Sequence, residues 1–139
     1  MSLSIRNQLP GTVTSVTSGE AMATVRVRLD GGQHVTAAIT AEAVKDLGLG
    51  EGSAVRALMK ATEVALATGA VEGLSIRNRI PGTVSEVLAG GAMASVKIDI
   101  EGGGLTAAIT KDAVSDLGLT AGSPVVALIK STEIALASA

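Results

Sequence analysis

The chain has 139 residues, a formal net charge of −2 at pH 7, no cysteine and no Phe, Trp or Tyr. A chain without cysteine has no disulfides, no thiolate metal sites and no cysteine nucleophile. Its mildly acidic balance gives no general attraction for nucleic acid, and its apolar runs are too short to span a bilayer. The first residues lack the features of a secretory signal, so we expect a cytoplasmic protein that does not associate with membranes.

The hydrophobic core must be built from Val, Ile, Leu, Ala and Met, because aromatic side chains are absent. These side chains each bury less area than an aromatic side chain does. A small aliphatic domain is therefore short of stabilising burial, and association of subunits is a common remedy. The composition alone predicts an oligomer.

An internal repeat divides the chain into two similar units. Leu3–Asn7 returns as Leu74–Asn78, and Lys60–Glu63 returns as Lys130–Glu133 with one change. Well over half of the aligned positions are identical, which is far too many for chance. Two copies of this length are too few for a stacked solenoid, so the repeat predicts a duplicated domain. We place the first domain at residues 1–68, a short linker at 69–73 and the second domain at 74–139.

The elements of the first unit follow in chain order. Alternating β-branched residues predict strands, Ser18-Gly19-Glu20 and Asp30-Gly31-Gly32 predict turns, and Thr40 and Gly48 suit the two ends of a helix. The expected strands are at residues 11–17, 22–29, 35–39, 54–60 and 63–67, with the helix at 40–48. The fold class is therefore all-β with one short helix per unit, as two tandem OB-like five-stranded barrels.

Most candidate sites have a simple structural explanation. The glycine-rich turns lack a P-loop lysine, and His34 is a lone histidine in a polar turn. Glu42 and Asp46 have the spacing of a helix surface, and no Ser/His/Asp set occurs in both copies. An OB-like barrel that bound single-stranded nucleic acid would need aromatic stacking platforms, which are absent. We predict neither an enzyme nor a nucleic-acid-binding protein.

Two short polar segments are almost unchanged between the copies, although surface positions such as Arg28, which becomes Asp99, have diverged. In the first copy they are Ser4, Ile5, Arg6 and Asn7, then Lys60, Ala61 and Thr62. In the second copy they are Ser75, Ile76, Arg77 and Asn78, then Lys130, Ser131 and Thr132. The residue types alone leave two interpretations open: the segments bind a ligand, or they only close the barrel, with Asn7 and Thr62 making turns.

Four motifs together resemble the molbindin (Mop) domain. They are Ser-Ile-Arg-Asn-Gln-Leu-Pro-Gly-Thr-Val, the Ala-Ile-Thr before the helix, the Leu-Gly-Leu after it, and Lys-Ala/Ser-Thr near the end of each unit. The tandem arrangement resembles the di-Mop type of cytoplasmic molybdate-binding protein, over essentially the whole chain. The usual opening in the family is Ser-Ala-Arg-Asn, from which Ile5 and Ile76 depart by one side chain.

The resemblance implies oxyanion sites between subunits of an oligomer, which we expect to be a homotrimer. Carried across by position, the lining residues it implies are Ser4, Arg6, Thr40, Lys60 and Ala61 in the first unit, and Ser75, Arg77, Thr110, Lys130 and Ser131 in the second. Each lysine is expected to reach the anion from a different domain than the one that supplies the arginine. Some relatives have a further serine where this chain has Ala43 and Ala113.

The chemistry of molybdate agrees with these residues. Molybdate at neutral pH is a dianion whose four oxygens accept hydrogen bonds and donate none. The hydroxyl, ammonium and guanidinium groups of these residues can donate to those oxygens. We therefore predict a non-enzymatic protein that binds molybdate, or the similarly sized tungstate, for intracellular storage and homeostasis, and that needs no catalytic cofactor. The alternative is a structural or regulatory oligomerisation module with weak or lost oxyanion binding, an idea that Ala43 and Ala113 motivate.

Overall fold

The computed structural model describes residues 1–139 as two curled, five-stranded antiparallel sheets, and each repeat also contributes a short helix. The elements of the first repeat are β1 (Asn7–Ser18), β2 (Met22–Leu29), β3 (His34–Thr40), α1 (Ala41–Leu47), β4 (Ala54–Met59), a 3-10 turn (Ala61–Glu63) and β5 (Ala65–Ala67). Those of the second are β6 (Asn78–Ala89), β7 (Met93–Ile100), β8 (Gly103–Thr110), α2 (Lys111–Leu117), β9 (Pro124–Ile129), a 3-10 turn (Ser131–Glu133) and β10 (Ala135–Ser138).

The predicted all-β class is confirmed, and the alternation of side chains explains the strands. In β2 every second residue is buried, while the residues between them are exposed. The helix α1 is capped as predicted: the hydroxyl oxygen of Thr40 accepts a hydrogen bond from the backbone N–H of Ala43, and Gly48 has a left-handed conformation. No helix is long and apolar enough to cross a membrane.

Two element bounds of the first repeat differ from the sequence prediction by more than one residue. The first strand begins at Asn7 instead of Gly11, because residues 7–12 pair with β4. Pro10, which has no backbone N–H, obscured this part of the strand in the sequence. The strand predicted at residues 63–67 is shorter in the structure. Glu63 ends the 3-10 turn Ala61–Glu63, and only Ala65–Ala67 is extended.

Each sheet takes its last strand from the other repeat. The sheet of the first repeat has the order β10-β4-β1-β2-β3, and that of the second has the order β5-β9-β6-β7-β8. In the first sheet Leu136 lies opposite Ala57, and in the second Leu66 lies opposite Ala127. The buried apolar side chains of both repeats accordingly form a single cluster. The two barrels are therefore interlocked, whereas the sequence analysis had given each barrel all five of its own strands.

Two buried asparagines tie the repeats together as well. The side-chain amide of Asn7 donates to the carbonyl oxygen of Thr106 (2.8 Å) and accepts from its backbone N–H (2.8 Å). Asn78 makes the same pair of bonds to Thr36, at 2.9 and 2.7 Å. Both asparagines are only 2% exposed. Each amide thus acts like one more backbone partner for the third strand of the opposite sheet.

We expect Asn7→Ala to lower the free energy of unfolding by about 3 kcal/mol, since it removes two hydrogen bonds and leaves the Thr106 backbone groups unpaired in a poorly solvated place. Asn7→Asp should also destabilise, because a carboxylate would face the carbonyl oxygen of Thr106. Chemical denaturation without added anion measures both. Thr14→Ala, which loses one exposed hydrogen bond to Arg26, is the control and should cost less than about 0.5 kcal/mol. A cost this small for Asn7→Ala would contradict a stabilising role for the amide.

Candidate functional site

The pairing of β1 with β4 brings the two repeated polar segments together. Asn7 lies opposite Met59 in this antiparallel pair. The residue before Asn7 and the residue after Met59 are therefore neighbours at the end of the sheet, and these are Arg6 and Lys60. The first segment enters the strand at this point, and the second leaves the neighbouring strand at the same end.

A surface concavity of about 250 Å³ lies at this end of the first sheet. Its lining consists of Ser4, Ile5, Arg6, Lys60, Ala61 and Thr62. It contains two cationic side chains and two hydroxyl groups, and no carboxylate. The structure thus brings six of the predicted site residues around one small space.

The donors of this concavity are only partly used within the chain. The guanidinium of Arg6 donates to the carbonyl oxygens of Ser4 (3.1 Å) and Leu3 (3.1 Å), and so folds the segment back on itself. Among the lysines, only Lys97 donates a side-chain hydrogen bond inside the chain. The exposed ammonium group of Lys60 is therefore available to a ligand.

The second repeat has the same local geometry. Asn78 lies opposite Ile129, which makes Arg77 and Lys130 neighbours. Arg77 donates to the carbonyl oxygens of Ser75 (3.0 Å) and Leu74 (3.4 Å). The backbone angles of Lys130 (φ −64°, ψ 142°) match those of Lys60 (φ −66°, ψ 139°). Within one chain each lysine therefore stands beside the arginine of its own repeat, and the expectation that it reaches an anion held by the arginine of another domain stays a prediction.

Two larger hollows, of about 290 and 270 Å³, lie between the repeats and are lined mainly by apolar side chains. The first includes Lys60 and Thr132, but also the carboxylate of Glu133. The second includes Ile76 and Lys130 together with Glu63 and Glu133. Carboxylates repel an anion and cannot donate hydrogen bonds to it. These hollows are consequently poorer anion sites than the concavity around Arg6 and Lys60.

Several predicted site residues lie elsewhere or already have another role. Thr40 and Thr110 cap the two helices by accepting from the backbone N–H of Ala43 and Ala113, each at 3.1 Å. Neither threonine lines the concavity or the two hollows. Asn7 and Asn78 lie at the start of β1 and β6, but their side chains face the opposite repeat.

Two residues that were not predicted as functional, Gln8 and Arg79, support the opening segments. In the first repeat Gln8 donates to the carbonyl oxygen of Ile5 (3.1 Å) and accepts from Arg56 (2.7 Å). In the second repeat Arg79 takes the place of Gln8 and donates to the carbonyl oxygens of Val71, Leu74 and Ile76. No sequence signal marked these positions, because Gln8 and Arg79 differ in type and stand outside the repeated polar segments.

No group of three or more His, Cys, Asp and Glu side chains is arranged to hold a metal ion. The protein groups around the concavity are hydrogen-bond donors and cations, which suit an anion of small size. A tetrahedral oxyanion could accept from the hydroxyls of Ser4 and Thr62 while it neutralises the charges of Arg6 and Lys60.

Comparison with known proteins gives a consistent result for both repeats. Residues 3–66 and 74–136 each match the TOBE domain. The chain is 42% identical over 136 residues to the molybdenum-pterin-binding protein MopB of Rhodobacter capsulatus, covering 96% of this chain and 50% of that protein. It is 35% identical over 139 residues to the molybdenum transport protein ModE of Herbaspirillum seropedicae, covering 99% of this chain and 52% of that protein. The chain thus spans about half the length of these curated relatives.

One solved structure is similar over its full length. The crystal structure of the cytoplasmic molybdate-binding protein ModG with molybdate bound has a TM-score of 0.97 to this chain. The two sequences are 36% identical, and each chain covers 100% of the other. The tandem architecture, including both five-stranded sheets, is therefore shared with that protein.

Proposed function

The chain belongs to the TOBE domain family, and we propose that it is a non-enzymatic cytoplasmic protein that binds molybdate, or the similarly sized tungstate, for storage and homeostasis. The observation that carries this proposal is the carboxylate-free concavity in which Arg6 and Lys60 meet. The molybdate complex of ModG and the molybdenum-related names of MopB and ModE support the choice of anion.

The proposed site uses only donors. Molybdate carries no proton at neutral pH, so each of its four oxygens accepts hydrogen bonds and none donates. Protonated phosphate would bring a donor for which the lining offers no side-chain acceptor other than the hydroxyls. Sulfate is also unprotonated, but it is smaller and makes looser contacts with the same lining. The site in the first repeat comprises Ser4, Ile5, Arg6, Lys60, Ala61 and Thr62, and the second has Ser75, Ile76, Arg77, Lys130, Ser131 and Thr132.

A neighbouring chain is needed to complete each site in this proposal. The concavity is open to solvent on one side, and the hydroxyls of Thr40 and Thr110 lie outside it within the chain. Met22 pairs with Thr40, and Met93 pairs with Thr110; both methionines are 49% exposed. An apolar side chain beside each of these hydroxyls favours contact with another subunit. We propose a homotrimer in which Thr40 and Thr110 approach anions bound on adjacent chains.

The alternative of an oligomerisation module that has lost anion binding is less well supported. A surface used only for association would gain nothing from Arg6 and Lys60 side by side, because two adjacent cations repel each other. Ala43 and Ala113, which motivated the alternative, lie on the helices that Thr40 and Thr110 cap, so a missing hydroxyl there removes one contact from an adjacent chain and leaves the donors of the concavity in place. The donors that remain are sufficient for an anion site.

Isothermal titration should show binding of molybdate and tungstate, and much weaker binding of sulfate and phosphate. Lys60→Met keeps most of the apolar stem but removes the charge, so it should weaken the first site by about 2 kcal/mol, or roughly thirtyfold. Lys130→Met should weaken the second site equally. Lys45→Met, at an exposed position near the end of α1, is the control and should leave the affinity unchanged.

The outcomes separate the two functions. Equal affinity for phosphate and molybdate would overturn the donor-only argument. Unaltered molybdate binding in the Lys60→Met, Lys130→Met double variant would show that the anion lies elsewhere. Absence of any binding by the unmodified protein would favour the oligomerisation module.

Light scattering should give three times the chain mass of 13.7 kDa at micromolar concentration, with or without molybdate. Molybdate should raise the concentration of denaturant needed to dissociate the assembly, because it binds only the native state. The double variant Met22→Glu, Met93→Glu places charges on the proposed contact and should shift the mass towards a single chain. A native protein that remains monomeric with molybdate present would rule out the homotrimer.

A further inference from the structure

Resting on the proposed function, we propose that the two anion sites of each chain are inequivalent, and that the second-repeat site binds the tetrahedral dianion more tightly because Ser131 replaces Ala61. The duplication provides a comparison inside one molecule, in which nearly everything around the anion is the same.

The backbone around the two positions is matched. In each repeat the lysine carbonyl oxygen accepts a hydrogen bond from the backbone N–H of the glutamate that ends the 3-10 turn, at 2.9 Å in both cases. The carbonyl oxygens of Ala61 and Ser131 accept from the backbone N–H groups of Val64 and Ile134, at 3.4 Å in both cases. Ala61 and Ser131 are both half-buried. The β-carbon of Ser131 therefore occupies the place that the methyl group of Ala61 has in the first concavity.

The difference between the sites is then one hydroxyl group. The backbone carbonyl oxygen of Ser131 accepts a hydrogen bond within the chain, but its side-chain hydroxyl makes none. The hydroxyl is therefore free to donate to a ligand. An anion with four acceptor oxygens gains a donor at this position in the second site and a methyl group in the first. One added hydrogen bond to a charged acceptor corresponds to about a tenfold gain in affinity.

The opening segment of the second site is also held more firmly. Arg79 donates to three carbonyl oxygens of the chain around Ser75 and Arg77, at 2.9, 3.2 and 3.3 Å. In the first repeat Gln8 makes only one bond of this kind, to Ile5 at 3.1 Å. A segment already fixed in the free protein loses less conformational entropy when it binds. This difference acts in the same direction as the Ser131 hydroxyl.

The nearby carboxylates do not reverse the order. Glu133 lines the hollow beside Lys60 and also the hollow beside Lys130, so its repulsion is common to both sites. Glu63 lines only the second hollow, but it is exposed, and solvent and salt screen its charge. The Ser131 hydroxyl would contact the anion directly.

The test weakens one site at a time in the full chain with the lysine variants. Lys60→Met weakens the first site about thirtyfold and leaves the second intact, Lys130→Met does the reverse, and the tighter of the two dissociation constants is compared between the proteins. Equilibrium dialysis against molybdate, with elemental analysis for Mo, should show about tenfold tighter binding by the Lys60→Met protein. Adding Ser131→Ala to Lys60→Met should remove this advantage, and adding Ala61→Ser to Lys130→Met should create it. Circular dichroism on all four proteins checks that the fold is retained.

Each outcome bears on a different statement. Equal affinities of the two lysine variants, or no effect of Ser131→Ala, would overturn the inequivalence while leaving molybdate binding in place. Loss of the tighter binding with Ser131→Ala, together with its gain with Ala61→Ser, would establish the inequivalence. Absence of binding by the unmodified protein would instead overturn the proposed function itself.

Discussion

The exchange of the last strand between the repeats is the constraint on which the rest of the structure depends. β4 and β9 each need one more antiparallel neighbour, and in each case the other repeat supplies it. The 3-10 turns that follow Lys60 and Lys130 are the points at which the chain leaves one sheet for the other, and each packs against the third strand of the opposite sheet. The position of each lysine is therefore set by the packing of two barrels rather than by a free loop.

In the proposed site, the position of the charges matters more than their number. The strand register puts one arginine and one lysine together at the end of each sheet, while Glu63 and Glu133, which directly follow Thr62 and Thr132 in the chain, line other hollows. Arg6 uses part of its guanidinium to shape its own segment, and Lys60 remains free. The proposed site thus combines a preformed backbone with an unpaired, exposed ammonium group, and such preorganisation of the backbone limits the entropy lost on binding.

The strand pattern, the turns and the helix caps could be predicted from the sequence, because alternation, glycine turns and Thr40 act locally. The exchange could not, because β5 and β10 have the same Ala-Leu-Ala pattern and either strand fits either edge. The repeated polar segments of the first unit meet at one end of its sheet, while their part in binding an anion stays a prediction. The role of Asn7 was missed because its partner, Thr106, lies 99 residues away and is recognised only through backbone atoms. Likewise, Arg79 supports its segment from a position at which the first repeat has Gln8.

The central claim is that the anion lies where Arg6 and Lys60, and equally Arg77 and Lys130, come together. Crystals of the protein grown with molybdate and measured at the molybdenum absorption edge test it most directly, because anomalous scattering locates molybdenum without reference to the protein density. The account predicts anomalous peaks within hydrogen-bonding reach of both lysine ammonium groups, with a well-ordered Ser131 hydroxyl facing the second. Peaks confined to the apolar hollows that contain Glu133, or no peaks in crystals saturated with molybdate, would contradict it.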